Sequence, residues 1–227
     1  MITVHPDANR GYANFGWLEA RHSFSFGAWY DPRYLGVSVL RVINDDRIRA
    51  LSGFGRHPHD NMEILTYVLS GVLTHRDSMG NETRIAAGQF QLMSAGSGIT
   101  HSEHNRQPLA ETRLLQIWLH PDRQNTEPGY QELPAVAQEG LRLVASPDGA
   151  EGSMVLRQKA RIYRLGLGAD HRLTLPLQGA VGYLHVISGT LHLDHTLLSA
   201  GDGASATADS LDLHTLSATE ALWFDLP

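Results

Sequence analysis

Short apolar or alternating apolar and polar stretches recur along the whole chain, and most are bounded by Gly, Asp or Asn. This pattern predicts β-strands, because side chains alternate between the two faces of a strand and turn residues end it. Between the stretches there is no long helical period, which argues against an α/β sheet. The chain is therefore predicted to be all-β with few short helices. The predicted strands are Gly36–Val42, Glu63–Leu69, Thr83–Ala86, Gln89–Met93, Arg113–Leu119, Leu141–Ala145, Ala160–Leu165, His171–Leu177, Gly182–Ile187, Thr190–Leu193 and Ala221–Leu226.

The two halves of the chain share a pattern on either side of a polar, proline-containing segment at residues 120–138. In particular, Thr66–Leu73 resembles Tyr183–Leu191 when the two stretches are aligned on their glycines. A repeated unit of short strands predicts two jelly-roll β-barrels. We place the first barrel domain at residues 1–136 and the second at residues 137–227.

Composition narrows the possible partners of these barrels. The 227 residues include 18 Lys and Arg against 24 Asp and Glu, for a formal charge of -6, and no basic run. Such a chain attracts neither phosphate backbones nor anionic lipid, so we expect no nucleic-acid or membrane partner. No basic leader with a long apolar run is present, which predicts a cytoplasmic protein, and we expect a monomer. Without cysteine, any transition metal must be held by nitrogen and oxygen, and 13 histidines are available.

Two pairs of potential metal ligands stand out. His57 and His59 are separated by one residue at a predicted strand start, and His101 and Glu103 have the same spacing. Residues i and i+2 of an extended chain share a face, so each pair offers two neighbouring ligands to one ion. If the two strands adjoin, four ligands converge. Three imidazoles and one carboxylate suit Fe(II), Mn(II), Ni(II), Co(II), Zn(II) or Cu(II), with coordination positions left open.

The second half lacks this set of ligands. In the alignment of the halves, the positions of the two paired histidines correspond to Leu175 and Leu177, and the position of the acid corresponds to Leu216. Only His214, opposite the third histidine, keeps a ligand type. Leucines in place of polar ligands predict a packed apolar interior, so we expect the second domain to bind no metal.

The residues around these pairs resemble the pirin family of the cupin superfamily, whose bacterial members include quercetin 2,3-dioxygenases. The resemblance implies a bicupin fold and one divalent metal, with iron as the commonest, held by His57, His59, His101 and Glu103. His75 and His104 are kept out of this ligand set. The matching stretches are His22–Gly27, Tyr30–Pro32, Leu40–Asp46, His57–Gly71, His75–Asn81 and Gln91–Asn105.

The resemblance also implies an activity. A metal-dependent dioxygenase of this kind would bind a flavonol such as quercetin through its 3-hydroxyl, with Glu103 as the base that takes the hydroxyl proton before dioxygen attacks. The alternative is a non-enzymatic, metal-dependent redox sensor or protein-interaction cofactor, which would consume no oxygen with flavonols. We expect the aromatic side chains Phe24, Phe26 and Trp29, and also Met93, to belong to the core.

Overall fold

The computed structural model describes residues 1–135, 139–207 and 211–227. Within these ranges the regular structure is β-strand, apart from two single-turn 3-10 helices at Asp7–Asn9 and Ala150–Gly152. The all-β prediction is therefore confirmed. Among the described residues, no helix has the length and apolar character needed to cross a membrane.

The strands are numbered β1 to β22 in chain order. They are β1 Ile2–His5, β2 Gly11–Asn14, β3 Leu18–His22, β4 Leu40–Ile48, β5 Ser52–His59, β6 Glu63–Ser70, β7 Val72–Asp77, β8 Glu82–Ala86, β9 Phe90–Ser94, β10 Ile99–Asn105, β11 Thr112–Leu119, β12 Gly129–Leu133, β13 Gly140–Ser146, β14 Met154–Val155, β15 Arg161–Leu167, β16 Arg172–Leu175, β17 Val181–Ser188, β18 Thr190–Leu193, β19 Thr196–Ser199, β20 Gly203–Ala206, β21 Leu211–Thr215 and β22 Thr219–Leu226.

These strands form two units of the same design. The first barrel contains a seven-stranded sheet in the order β12-β9-β6-β11-β4-β3-β2 and a four-stranded sheet in the order β5-β10-β7-β8. The second barrel contains a seven-stranded sheet, β1-β20-β17-β22-β15-β13-β14, and a four-stranded sheet, β16-β21-β18-β19. Each unit thus has the two-sheet arrangement of a jelly roll, as the repeat in the sequence predicts.

The N-terminal residues belong to the second barrel. The first barrel comprises residues 11–36 and 40–135 of the described chain, whereas residues 1–10 and 37–39 group with the second. Strand β1 pairs antiparallel with β20. The predicted first domain, residues 1–136, therefore begins about ten residues too early, and its predicted end, between residues 136 and 137, lies outside the described residues.

The repeat is also visible in two equivalent turns, one in each barrel, that have the same backbone geometry. Gly71, between β6 and β7, has a φ of +77°, and Gly189, between β17 and β18, has a φ of +83°. Side-chain-bearing residues rarely adopt such angles. A Cβ atom would also lie 2.7 Å from Glu111 O at Gly71 and 2.3 Å from Ala218 O at Gly189. Both turns therefore require glycine for the same two reasons.

Candidate metal centre

Strands β5 and β10 bring three histidines together. His101 is the register partner of His57 across the two strands, and His59 lies two residues further along the same face of β5. The His57 and His101 ring centroids are 4.4 Å apart, and His59 lies 4.9 Å from each. The predicted pairing of the two sequence motifs is thus present, although His57 and His59 lie at the end of β5 and not at a strand start.

A close approach of the two strands accompanies this pairing. The register shifts between His101 and Glu103, so that Glu103 lies opposite Phe54. At Gly53 a Cβ atom would lie only 2.3 Å from Glu103 O and 2.5 Å from the Cα atom of His104. Glycine therefore permits β5 to approach β10 beside the site, and the bulge sets the direction of the Glu103 side chain.

The nitrogen atoms of this group are arranged as a metal ion requires. His57 Nδ1 donates to Gly55 O at 2.7 Å, which leaves Nε2 as the lone-pair nitrogen. That Nε2 lies 3.0 Å from His101 Nε2. Two nitrogens bound at about 2.1 Å to one cation lie roughly 3.0–3.4 Å apart. The three histidines offer ligand atoms within 4.8 Å of one another and fit a divalent transition metal.

The surroundings of His59 and His101 favour the neutral imidazole, which is the form that binds metal. Burial, together with the neighbouring His57, lowers the pKa of His59 to about 4. Burial also lowers the pKa of His101 to about 2, again with contributions from His57 and His59. Burial and neighbouring imidazoles both disfavour an added proton on His59 and His101, so the ring nitrogens of these two residues remain available near neutral pH.

Glu103 belongs to a second, overlapping group of potential ligands. Its carboxylate, His75 and His101 offer ligand atoms within 4.8 Å of one another, and all three residues are buried. Of the four predicted ligands, three thus form one group and the fourth joins them through His101. Sequence reasoning left out His75, which faces Glu103 across β7 and β10. The sequence did offer a signal, because His75 and Asp77 have the same i and i+2 spacing as the two predicted ligand pairs and share one face of β7.

His75 is held on both sides. Its Nε2 lies 3.1 Å from Asp77 Oδ2, and its ring stacks on Tyr130 with a centroid distance of 4.8 Å. Asp77 also accepts hydrogen bonds from Asn81. Burial lowers the pKa of His75, which the Asp77 carboxylate partly opposes. His75 is therefore a fixed wall of the site beside Glu103.

Three polar side chains of the large sheet surround the Glu103 carboxylate, and we call Thr66, Gln91 and Gln116 the collar. Gln116 Nε2 donates to Glu103 Oε2 at 2.8 Å, and Gln91 Nε2 donates to Oε1 at 3.0 Å. Thr66 Oγ1 lies 3.4 Å from Oε1 and donates to Gln116 Oε1 at 2.8 Å. Burial raises the pKa of Glu103 to about 7, although the collar favours the charged form.

An apolar cavity of about 510 Å³ opens beside the histidines. Its lining includes His57, His59, Glu103 and Gln116, so three of the four candidate ligands face the cavity. Rings supply much of the remaining wall, from Tyr12, Phe15, Phe26, Trp29, Phe54 and Trp118. Phe26 and Trp29 thus line the cavity, contrary to their assignment to the core, whereas Phe24 and Met93 are buried as predicted. The His59 and Trp118 rings meet edge to face at 5.0 Å.

In the second barrel, leucines occupy the equivalent positions. Strand pairing sets Leu211 opposite Leu175, as His101 is set opposite His57, and Leu213 opposite Leu193, as Glu103 is set opposite His75. Leu175, Leu193, Leu211 and Leu213 are buried in one apolar cluster, against which Leu177 packs. This interior has the apolar character that the sequence predicted.

One detail of the predicted correspondence is wrong. His214 does not occupy the position equivalent to His101, nor does Leu216 occupy that of Glu103. His214 Nε2 instead contacts Asp170 Oδ1 at 2.8 Å, and Leu216 lies beyond β21 and is exposed. The error arose from counting an equal spacing in both halves, whereas the second half is shorter before β21.

Two jelly-roll barrels, one of which carries a group of His and Glu ligands beside a cavity, define a bicupin with a candidate metal site. Residues 4–119 match the Pirin family model, and residues 143–226 match the model described as Quercetinase C-terminal cupin domain. The chain therefore belongs to the pirin family.

Similar proteins agree with this assignment along the whole chain. Quercetin 2,3-dioxygenase of Escherichia coli K12 is 42% identical over 229 residues, which cover 100% of this chain and 99% of that protein. The crystal structure of Escherichia coli YhhW has a TM-score of 0.98 at 42% identity, covering 100% of this chain and 98% of that one. A second structure, of bacterial pirin YhhW in complex with nickel(II), has a TM-score of 0.97 at 41% identity, covering 100% and 99%.

Proposed function

We propose that this protein is a metal-dependent dioxygenase that cleaves flavonols such as quercetin. The observation that carries the proposal is the placement of His57, His59 and Glu103 on the wall of one apolar, ring-lined cavity. A site that opens on a cavity can hold a substrate next to its metal, whereas a structural metal site is closed by protein ligands. The name of the 42% identical relative supports the same reaction.

The cavity suits a flat aromatic substrate. Its volume of about 510 Å³ lies in the range of sites for small molecules, about 300–1,000 Å³. Phe26 and Trp118 meet edge to face at 5.4 Å on its wall, and rings of this kind contact planar ligands over large areas. The exposed side chains of Tyr12 and Phe15 also line the cavity. A flavonol would therefore be bound mainly by burial of its rings.

In this proposal His57, His59, His101 and Glu103 hold the metal. When bound, the metal supplies a Lewis acid that lowers the pKa of a substrate hydroxyl and activates the ring system toward dioxygen. We favour iron, and the nickel(II) complex of the similar YhhW makes nickel a direct comparison in the test. We further propose that the protein acts as a monomer in the cytoplasm.

Glu103 takes the proton of the flavonol 3-hydroxyl. A carboxylate on the cavity wall can accept this proton, and the metal would assist by lowering the pKa of the hydroxyl. Gln91 and Gln116 donate to both carboxylate oxygens and thereby fix their direction. The loss of the base is expected to reduce the rate by about 10²–10⁴-fold.

Oxygen uptake tests the proposal. Protein loaded separately with iron, nickel, cobalt, manganese or copper is mixed with quercetin in air, and oxygen and flavonol absorbance are followed together. We expect oxygen and quercetin to be consumed in equimolar amounts with at least one of the metals. Silence with all five metals would remove the dioxygenase proposal and leave a non-enzymatic role.

Two variants locate the activity at this site. Glu103→Gln keeps the size of the side chain and should reduce flavonol turnover at least about 100-fold. His104→Gln is the matched control, because His104 is the next residue of β10 and is less buried than Glu103. We expect the control to retain the wild-type rate, with metal content measured for both proteins.

A further inference from the structure

A row of polar side chains crosses the inner face of the large sheet of the first barrel. Successive register partners are His22, Asn44, Gln116, Thr66 and Gln91, on strands β3, β4, β11, β6 and β9. We call these five residues the polar row. All five are buried, with exposed fractions of 8% or less. The row is thus one continuous line of polar groups across the inner face of the sheet.

Apolar clusters lie on both sides of the polar row. Leu18, Ala20, Val68 and Leu114 belong to a buried cluster on one side, and a cluster with Ile64 and Met93 lies on the other. Buried polar groups in such surroundings cost free energy unless they are hydrogen-bonded. Packing alone therefore does not account for the row. The collar end of the row, Gln116, Thr66 and Gln91, is explained by Glu103, whereas the His22 and Asn44 end is not.

His22 and Asn44 form a buried pair that faces the cavity. His22 Nδ1 donates to Asn44 Oδ1 at 2.8 Å, and both residues line the cavity wall. This hydrogen bond engages Asn44 Oδ1 and thereby fixes the direction of the amide, whose nitrogen carries two donor hydrogens. The pair thus presents an oriented amide donor on the cavity wall, and the oxygen of a ligand hydroxyl can accept a hydrogen bond from it.

We propose that His22 and Asn44 form a binding subsite for a second hydroxyl of a planar polyhydroxylated aromatic substrate. Asn44 lies one strand and His22 two strands from Gln116, which contacts Glu103. With neighbouring strands about 4.8 Å apart, the subsite is about 5–10 Å along the sheet from the Glu103 end. A molecule of two or three rings spans that distance. The inference rests on the proposed function and specifies which flavonols the cavity prefers.

Equilibrium binding under anaerobic conditions tests the subsite without turnover. Quenching of tryptophan fluorescence gives Kd for quercetin, which carries several hydroxyls, and for 3-hydroxyflavone, which carries only the one at position 3. We expect the metal-loaded wild type to bind quercetin about tenfold more tightly than 3-hydroxyflavone. Equal Kd values for the two ligands would overturn the proposal without the need for any variant.

Variants then assign the preference to the pair. Asn44→Leu removes the amide and should weaken quercetin binding about tenfold while changing the Kd of 3-hydroxyflavone less than twofold. His22→Gln keeps hydrogen-bonding atoms and should retain most of the preference, whereas His22→Phe should lose it. Equal weakening of both ligands by Asn44→Leu and His22→Phe would contradict a hydroxyl subsite. Melting temperature and metal content are recorded for each variant as checks of folding.

The outcome is separable from that of the proposed function. A hydroxyl-dependent Kd together with no oxygen uptake would overturn the dioxygenase proposal and support the subsite. Oxygen uptake together with equal Kd values would support the dioxygenase proposal and overturn the subsite.

Discussion

The protonation state of Glu103 in the metal-free protein can be tested by removing a hydrogen bond from the collar and measuring stability at two pH values. The carboxylate is fully buried, and its pKa is raised from 4.5 to about 7. Between these two values the folded state holds a proton that the unfolded state releases, so stability falls as pH rises through that window. At about 1.4 kcal/mol per pKa unit, the metal-free protein should lose roughly 3 kcal/mol of unfolding free energy from this group by pH 7.

Gln116→Met makes this loss larger. Methionine has a similar length but cannot donate the 2.8 Å hydrogen bond that Gln116 gives to Glu103 Oε2. A hydrogen bond to a charged group contributes about 1.5–3 kcal/mol, and one to a neutral group about 0.5–1.5 kcal/mol. The variant should therefore lose about 1–2 kcal/mol more at about pH 8.5, where Glu103 is ionised, than at about pH 5.5, where it is protonated.

Urea unfolding of chelator-treated protein at the two pH values measures the difference. Gln107→Met is the matched control in the same barrel, because Gln107 donates to the neutral partners Asn105 and Thr112, at 3.3 Å each. Its loss of stability should not change with pH. If Gln116→Met loses the same free energy at both pH values, Glu103 does not change its charge between them.

Four further outcomes are expected. Chelation should lower the wild-type melting temperature, since metal at about 1,000 times Kd contributes about 4 kcal/mol, roughly 8–16 °C for a protein of this size. Calorimetry of His101→Ala should show almost no such shift, and a full shift would contradict the ligand assignment. Gly53→Ala, whose Cβ would lie 2.3 Å from Glu103 O, should reduce the amount of bound metal in elemental analysis. An unchanged metal content in this variant would contradict the prediction. Leu193→Ala should cost about 2–5 kcal/mol in denaturant unfolding while the metal content stays constant, and a loss of metal would argue against separate roles for the barrels.

Many strands with an apolar buried face could be predicted from the sequence, although β3 and β21, which bury Leu18 and Leu211, were missed. Each of the eleven predicted stretches overlaps an observed strand, as Glu63–Leu69 does with β6. By contrast β5, β7 and β10 were not among them, because the polar residues that line the site interrupt their apolar alternation. The strands that carry the chemistry were therefore found only through the spacing of His57, His59, His101 and Glu103.

The surroundings of the ligands were harder to predict. Gln91 and Gln116 lie within apolar strands, and nothing local shows that two separate strands direct their amides at one carboxylate. The signal that the sequence does offer is the alternation of inward and outward positions. A glutamine at an inward position of a buried strand needs a hydrogen-bonding partner. Strand register, which decides that His22, Asn44 and Gln116 are neighbours, depends on pairing between distant segments, and loop lengths do not reveal it.

The position of β1 in the second barrel bears on the order in which the chain folds during synthesis. The Met1 amino group donates to Thr207 O at 2.6 Å, across 206 positions of sequence. Of the strands described, β1 is synthesised first, whereas its partner β20 is the twentieth of twenty-two. Every strand of the first barrel, by contrast, lies between residues 11 and 133. The first barrel can thus mature on the ribosome while the opening segment waits for its sheet.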